Sequence, residues 1–245
     1  MQDLDIKRLQ RKLELGMIDK RTYIYEMKRL ERKKMFKSLI IVLFLVIVML
    51  KIFPVNKTIT HIEDLNNIPE PIQKLTVGST YKIINNEKIK LNYIAKYTLY
   101  GYVVDVHEYW EGTMQGNLSP RDIGMVWGFL SDKSNFQKLN FSSAGNRFLN
   151  WSTNDSTWLK SVGGWDRIQS YVSNNHLIPS DDNVEKLIKS IKTGDYVKIE
   201  GYLVNVRCDK ANGGYFNWNS STTRSDKGDG ACEIIYVTNV EWLKD

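Results

Sequence analysis

The longest regular feature of the chain is an unbroken apolar run, Leu39–Leu50 (LIIVLFLVIVML), set between Lys37 and Lys51. Upstream of it, apolar positions recur at helical spacing. Ile6, Leu9 and Leu13 share one face, and Tyr23, Met27 and Leu30 share another. Gly16 stands where a helix would stop and Asp19 where a second would be capped, so residues 1–34 are expected to form a helical hairpin. The run itself rises only about 18 Å as helix. Counted from residue 35 to 55 it is long enough for one transmembrane helix, provided that Lys37 and Lys51 lie at the headgroups.

Beyond residue 55 the pattern changes. Residues 56–76 are polar with two prolines and read as a stalk. Alternation then sets in: YTLYGYVVDV (97–106), VKIEGYLVNV (197–206) and ACEIIYVTNV (231–240) read as strands. The first two share G-Y-x-V-x-V. They are either an internal repeat of about 100 residues or two similar strands of one barrel, and a glycine midway along a strand marks a sharp bend. Over 182–192, Val184, Leu187, Ile188 and Ile191 make one helical face, followed by a Thr193-Gly194-Asp195 turn. The expected fold class is α+β, mostly β. In order it comprises a hairpin (1–34), one transmembrane helix (35–55), a stalk (56–76) and an OB-like or small barrel-like extracytoplasmic domain (77–245).

Charge sharpens this topology. The net charge of +6 lies entirely in residues 1–37, where 12 Lys/Arg face 6 Asp/Glu; residues 38–245 hold 22 of each. Arg32, Lys33, Lys34 and Lys37 crowd the N-terminal flank of the run, and Lys51 stands on the other. The positive-inside rule then puts the N-terminus in the cytoplasm and the large domain outside a bacterial inner membrane. The expected partners are the lipid bilayer and a protein, or a second copy, held through residues 1–34. A neutral large domain argues against nucleic acid as a partner.

Candidate chemistry is sparse. Cys208 ends one predicted strand and Cys232 begins another. Outside the cytoplasm they could form a disulfide, closing a loop whose chain-entropy effect is about 3 kcal/mol. Alternatively Cys232 is a nucleophile with His176 as its base and Arg224 or Asp226 assisting, as in a cell-wall or peptide hydrolase or transpeptidase. No arginine follows Cys232, which departs from the sortase and L,D-transpeptidase patterns. The three histidines, His61, His107 and His176, are too dispersed for a metal site, and no cofactor is expected. Asp226, Asp229 and Glu233 offer oxygens for calcium without the loop spacing of a calcium hand. Trp127, Trp151 and Trp218, with Asn abundant around them, form a candidate ligand face. The reading favoured by these residues is a non-enzymatic binding or assembly module of the cell envelope.

Four segments carry a resemblance: LSPRDIGMVWGFLSD (118–132), RFLNW (147–151), NNHLIP (174–179) and WNSSTTRSDKGDGACEIIYV (218–237). They resemble a bacterial family of membrane-anchored or secreted proteins with W-G-x-x-S-D, N-x-H-L-I-P and S-S-x-x-R-x-D-x-G-x-G-A-C-E runs. The resemblance implies a domain over roughly 95–242 and no particular activity. IKRLQRKLELGMIDKRTYIYEMKRL is similar to the SHOCT bihelical module, which implies an oligomerisation or interaction role. Lys20-Arg21 replace the acidic start of its second helix.

Overall fold

The computed structural model describes residues 2–52, 55–109, 112–144, 147–210, 213–223 and 230–245. The chain divides into two compact units, 1–54 and 55–245.

In the first unit, α1 (Gln2–Glu14) and α2 (Lys20–Ile52) form the expected hairpin. Gly16 takes φ +68°, a left-handed value suited to glycine at a helix end. Asp19 Oδ1 accepts the Thr22 amide at 2.7 Å. Hydrogen bonding from the Thr22 side chain, and after it from the Thr22 amide, holds the Asp19 carboxyl below its ordinary pKa. The second helix does not stop at residue 34. It runs 33 residues without a break, so the boundary between hairpin and apolar segment dissolves.

The membrane reading requires correction. Among the described residues, no helix is long and apolar enough to cross a membrane. The apolar stretch of α2 is short against a hydrocarbon core of about 30 Å, and the rest of the helix is densely basic. The single-pass signal anchor, the inner-membrane location and the interfacial roles of Arg32, Lys33, Lys34, Lys37 and Lys51 fall with it.

The second unit is α+β and mostly β, as expected. Its strands are β1 (Thr58–His61), β2 (Ile72–Ile84), β3 (Glu87–Glu108), β4 (Arg121–Val126), β5 (Asn140–Ala144), β6 (Phe148–Ser152), β7 (Val172–Pro179), β8 (Tyr196–Asp209), β9 (Tyr215–Asn219) and β10 (Glu233–Lys244). The short helices α3 (Met114–Leu118), α4 (Lys133–Phe136), α5 (Ser156–Ser161) and α6 (Gly164–Gln169) lie in connections, and α7 (Asp182–Ser190) joins β7 to β8. Five strands close on themselves in the order β3-β4-β7-β10-β8 and back to β3. Only the β7–β10 pair is parallel. A closed five-stranded ring with a helix between its third and fourth strands is compatible with an OB-like barrel. Tyr97, Leu99, Ile123, Met125, Leu177, Ile199, Leu203 and Ile235 fill the barrel, and Val184 and Ile188 of α7 pack against the same core.

The two G-Y-x-V-x-V stretches are adjacent antiparallel strands: Leu99 pairs Ile199 and Gly101 pairs Val197. They are therefore parts of one barrel and not copies of a repeat. The proposed stalk is also absent. β1 pairs with β10, and Ile68 is buried in the main core with its amide donating to Ser131 Oγ at 3.0 Å.

Arg121 ties α7 to the barrel. Its Nη1 donates to the carbonyls of Ile188 (2.6 Å) and Ile191 (3.0 Å), and its Nη2 pairs with Glu108 at 2.7 Å. These carbonyls lie in the last turn of α7 and at its cap, where the helix supplies no donor four residues on; the Ile188 carbonyl also accepts the Ile191 amide at 3.2 Å. Arg121→Met should therefore cost about 1–3 kcal/mol, read as a lowered midpoint in urea denaturation.

Candidate functional site

The connection from β3 to β4, the excursion between β4 and β7, strand β7 and the segment from β9 to β10 meet at one cavity of about 440 Å³. Its wall includes Gln115, Arg147, His176, Trp218, Asn219 and Cys232. In barrels of this topology, the face of the second and third strands, with the loops joining strands 1–2 and 4–5, takes ligands. The cavity lies on that face: β4 and β7 are the second and third strands, Gln115 lies in the first of those loops, and Trp218 and Asn219 lie in the second.

The floor is an ionic cluster. Asp122 on β4 and His176 on β7 are directly opposed, and their side chains are each 3% exposed. Asp122 Oδ1 lies 2.9 Å from His176 Nδ1, within ion-pair range but without the alignment of a hydrogen bond. The same oxygen accepts from Arg147 Nη1 at 2.8 Å. Arg147 Nη2 donates to the Ser119 carbonyl at 2.9 Å, and its guanidinium lies 3.7 Å over the Tyr109 ring. His107 on β3 is the other register neighbour of Asp122. Burial pushes the Tyr109 phenol well above its usual pKa. The Asp122 carboxylate acts in the same direction, a charge on Cys232 would add to it, and Arg147 opposes.

Two neighbours already lie against the Trp218 ring: His176, with centroids 4.7 Å apart, and the Arg147 guanidinium at 5.5 Å. The Cys232 sulfur lies 3.6 Å from Asn174 Nδ2 and 3.9 Å from the Arg147 carbonyl. Asn174 Nδ2 also donates to that carbonyl at 2.8 Å, which fixes the backbone at Arg147.

Several expectations are redrawn here. Cys208 and Cys232 do not pair with each other. Cys208 is buried at the outer end of β8, 3.6 Å from Glu87 Oε2, where burial raises its thiol pKa first and Glu87 adds to the effect. The three tryptophans do not form one face. Trp127 is fully buried in the barrel core, and Trp151 packs in a separate apolar cluster beneath the β5–β6 ribbon. Only Trp218 reaches the cavity. Arg224, Asp226 and Asp229 lie outside the described residues. Glu233 is buried and pairs in register with Asn175, one residue out of phase with His176. Among the described residues, no group of His, Cys, Asp and Glu suits a metal ion.

His176 and Cys232 do come to one cavity, as the nucleophile reading required. Asp122 and Arg147 were missed as site residues, although both lie within runs singled out above. The available signal was a charged pair, Arg121-Asp122, opening an otherwise apolar stretch, IGMVWGFL. Comparison with known protein families, curated proteins and solved structures finds no match.

Proposed function

We propose that the second unit is a binding module for a short, uncharged peptide segment, held in the cavity between the β3–β4 connection and the β9–β10 segment. The observation that carries this reading is the chemistry of the wall. Gln115, Asn217 and Asn219 are primary amides, each offering donors and an acceptor in one plane. That is the complement of a backbone amide. The Asn217 carbonyl already accepts from Arg207 at 3.2 Å, which leaves its NH₂ group to turn toward a ligand. Arg147 is paired with Asp122, so among the described residues of the wall there is no uncompensated cation of the kind that an anionic ligand would call for. The Trp218 ring, already contacted by His176 and Arg147, offers little open surface for stacking a sugar or a base.

The test is an NMR titration of the full chain with N-acetyl-dialanine methylamide, run beside methyl glucoside and acetate. The peptide should shift the side-chain amides of Gln115 and Asn219 and the Trp218 indole saturably. For so small a ligand the affinity should fall in about the millimolar range. Asn219→Ala should weaken it several-fold. Shifts caused by the glucoside or acetate alone, or no shifts at all, would overturn the reading.

A further inference from the structure

The cavity carries a second set of groups that binding an amide does not use. Asp122, His176 and Cys232 lie on three successive strands of the barrel, β4, β7 and the entry to β10. Asp122 opposes His176. His176 is in register with Ile234, and Cys232 precedes Ile234 by two residues. The side-chain period of a strand is two, so Cys232 belongs to the face on which His176 lies. Both side chains line the same cavity. The close contacts of the Cys232 sulfur with Asn174 and with the Arg147 carbonyl place it on the same wall. A second, independent observation concerns the buried polar atoms. Asp122 Oδ2 and His176 Nδ1 make no aligned hydrogen bond, although both side chains are 97% buried at the edge of an open cavity. Such groups are costly in a purely structural setting and recur where a geometry tightens only when substrate arrives.

We infer that Cys232 is the nucleophile and His176 the base of a thiol-dependent acyl-transfer site, with Asp122 as the positioning residue. This rests on the peptide reading and names what happens to the bound amide. His176 has Nδ1 turned to Asp122, so Nε2 is the nitrogen left to take the Cys232 thiol proton. The sulfur electron pair forms a bond to the amide carbonyl carbon, and the carbonyl π pair moves to oxygen. When that oxyanion collapses, the carbon–nitrogen bond breaks. The amine leaves with the proton from His176, and a thioester remains on Cys232. Water then adds to the thioester, giving its proton to His176. The carbon–sulfur bond breaks, a carboxylic acid is released, and the thiol recovers its proton. No oxidant or reductant enters. Proton transfer to His176 leaves an imidazolium that favours the thiolate, and the wall amides can donate to the oxyanion.

The test uses the full chain, with modification read by mass spectrometry on the peptide containing Cys232. p-Nitrophenyl acetate should acetylate Cys232 and release p-nitrophenolate in a burst. Iodoacetamide should alkylate Cys232 with a pH midpoint below the ordinary thiol value of about 8.5. His176→Gln should slow alkylation at neutral pH by about 10- to 100-fold and return the midpoint toward that value. Asp122→Asn should shift it in the same direction, a change that a merely structural role would not produce. The wild-type midpoint alone is informative even if a variant fails to fold. A midpoint near the ordinary value with no acetylation would overturn the inference. If Cys232→Ser still binds N-acetyl-dialanine methylamide while wild type forms no acetyl-enzyme, the thiol step fails and the binding reading stands. If the peptide binds neither protein, the binding reading fails first and this inference with it.

Discussion

Asp122→Ala is expected to destabilise the second unit by about 3–5 kcal/mol, the loss typical when one partner of a buried ion pair is removed. The carboxylate is the only acid in ion-pair contact with Arg147 among the described residues, and the Arg147 side chain is itself only 15% exposed. Without it, a guanidinium remains beside the Tyr109 ring with, among the described residues, a single hydrogen bond, to the Ser119 carbonyl. Among the described residues, His176 loses its one ion-pair neighbour at the same time. For a unit of this size about 2–4 °C of melting temperature accompany each kcal/mol, so a fall of about 10 °C should appear in thermal denaturation. The double variant Asp122→Ala/Arg147→Met gives the sharper result. Removing both charges eliminates the uncompensated cation, and replacing a buried pair by apolar groups is often close to neutral. The double variant should therefore recover much of the loss. A single variant no less stable than wild type would show that the cluster is already solvated.

How much of this was legible beforehand follows from where each residue sits. The strands read from alternation are present: β3, β8 and β10 cover 97–106, 197–206 and most of 231–240, and α7 lies within 182–192. Each shows periodicity because one face meets the core and the other does not. β4 and β7 show none, since β4 is buried along its whole length and β7 along all but one residue. A strand enclosed on both faces has no alternation of buried and exposed positions to read, and these two also bury polar residues, among them Asp122, Ser173 and Asn175. Yet these two strands carry Asp122 and His176. The site was thus only partly visible. His176 and Cys232 attract notice by residue type, whereas the pairing of residue 122 with residue 176 is a matter of barrel register, which no local pattern encodes. The apolar run of α2 misled for a related reason. A run of apolar residues reports avoidance of water and leaves open whether the helix is long enough to span a bilayer.

Gly201→Ala should be more disruptive than any surface change, at about 3 kcal/mol or more. The sequence marked Gly201 only as a bend in VKIEGYLVNV. In the barrel it faces Val237 across the β8–β10 pair, immediately beside a register shift between Val237 and Asn239. A methyl group there would lie 2.1 Å from the Tyr236 carbonyl oxygen, 2.9 Å from its carbon and 3.1 Å from the Val237 Cα. All three are backbone atoms of the strand that closes the ring, so no side chain can rotate to relieve the overlap. β10 would have to move away from β8, opening the barrel at the seam from which Cys232 enters the cavity. The comparison is Gly78→Ala, whose methyl meets the Tyr93 ring at 3.0 Å, an obstacle that can tilt. Urea denaturation should show a loss below about 1 kcal/mol for Gly78→Ala and a loss several times larger for Gly201→Ala. Equal midpoints for the two variants would mean that the β8–β10 seam yields as readily as a surface ring, which is incompatible with a ring closed at that pair.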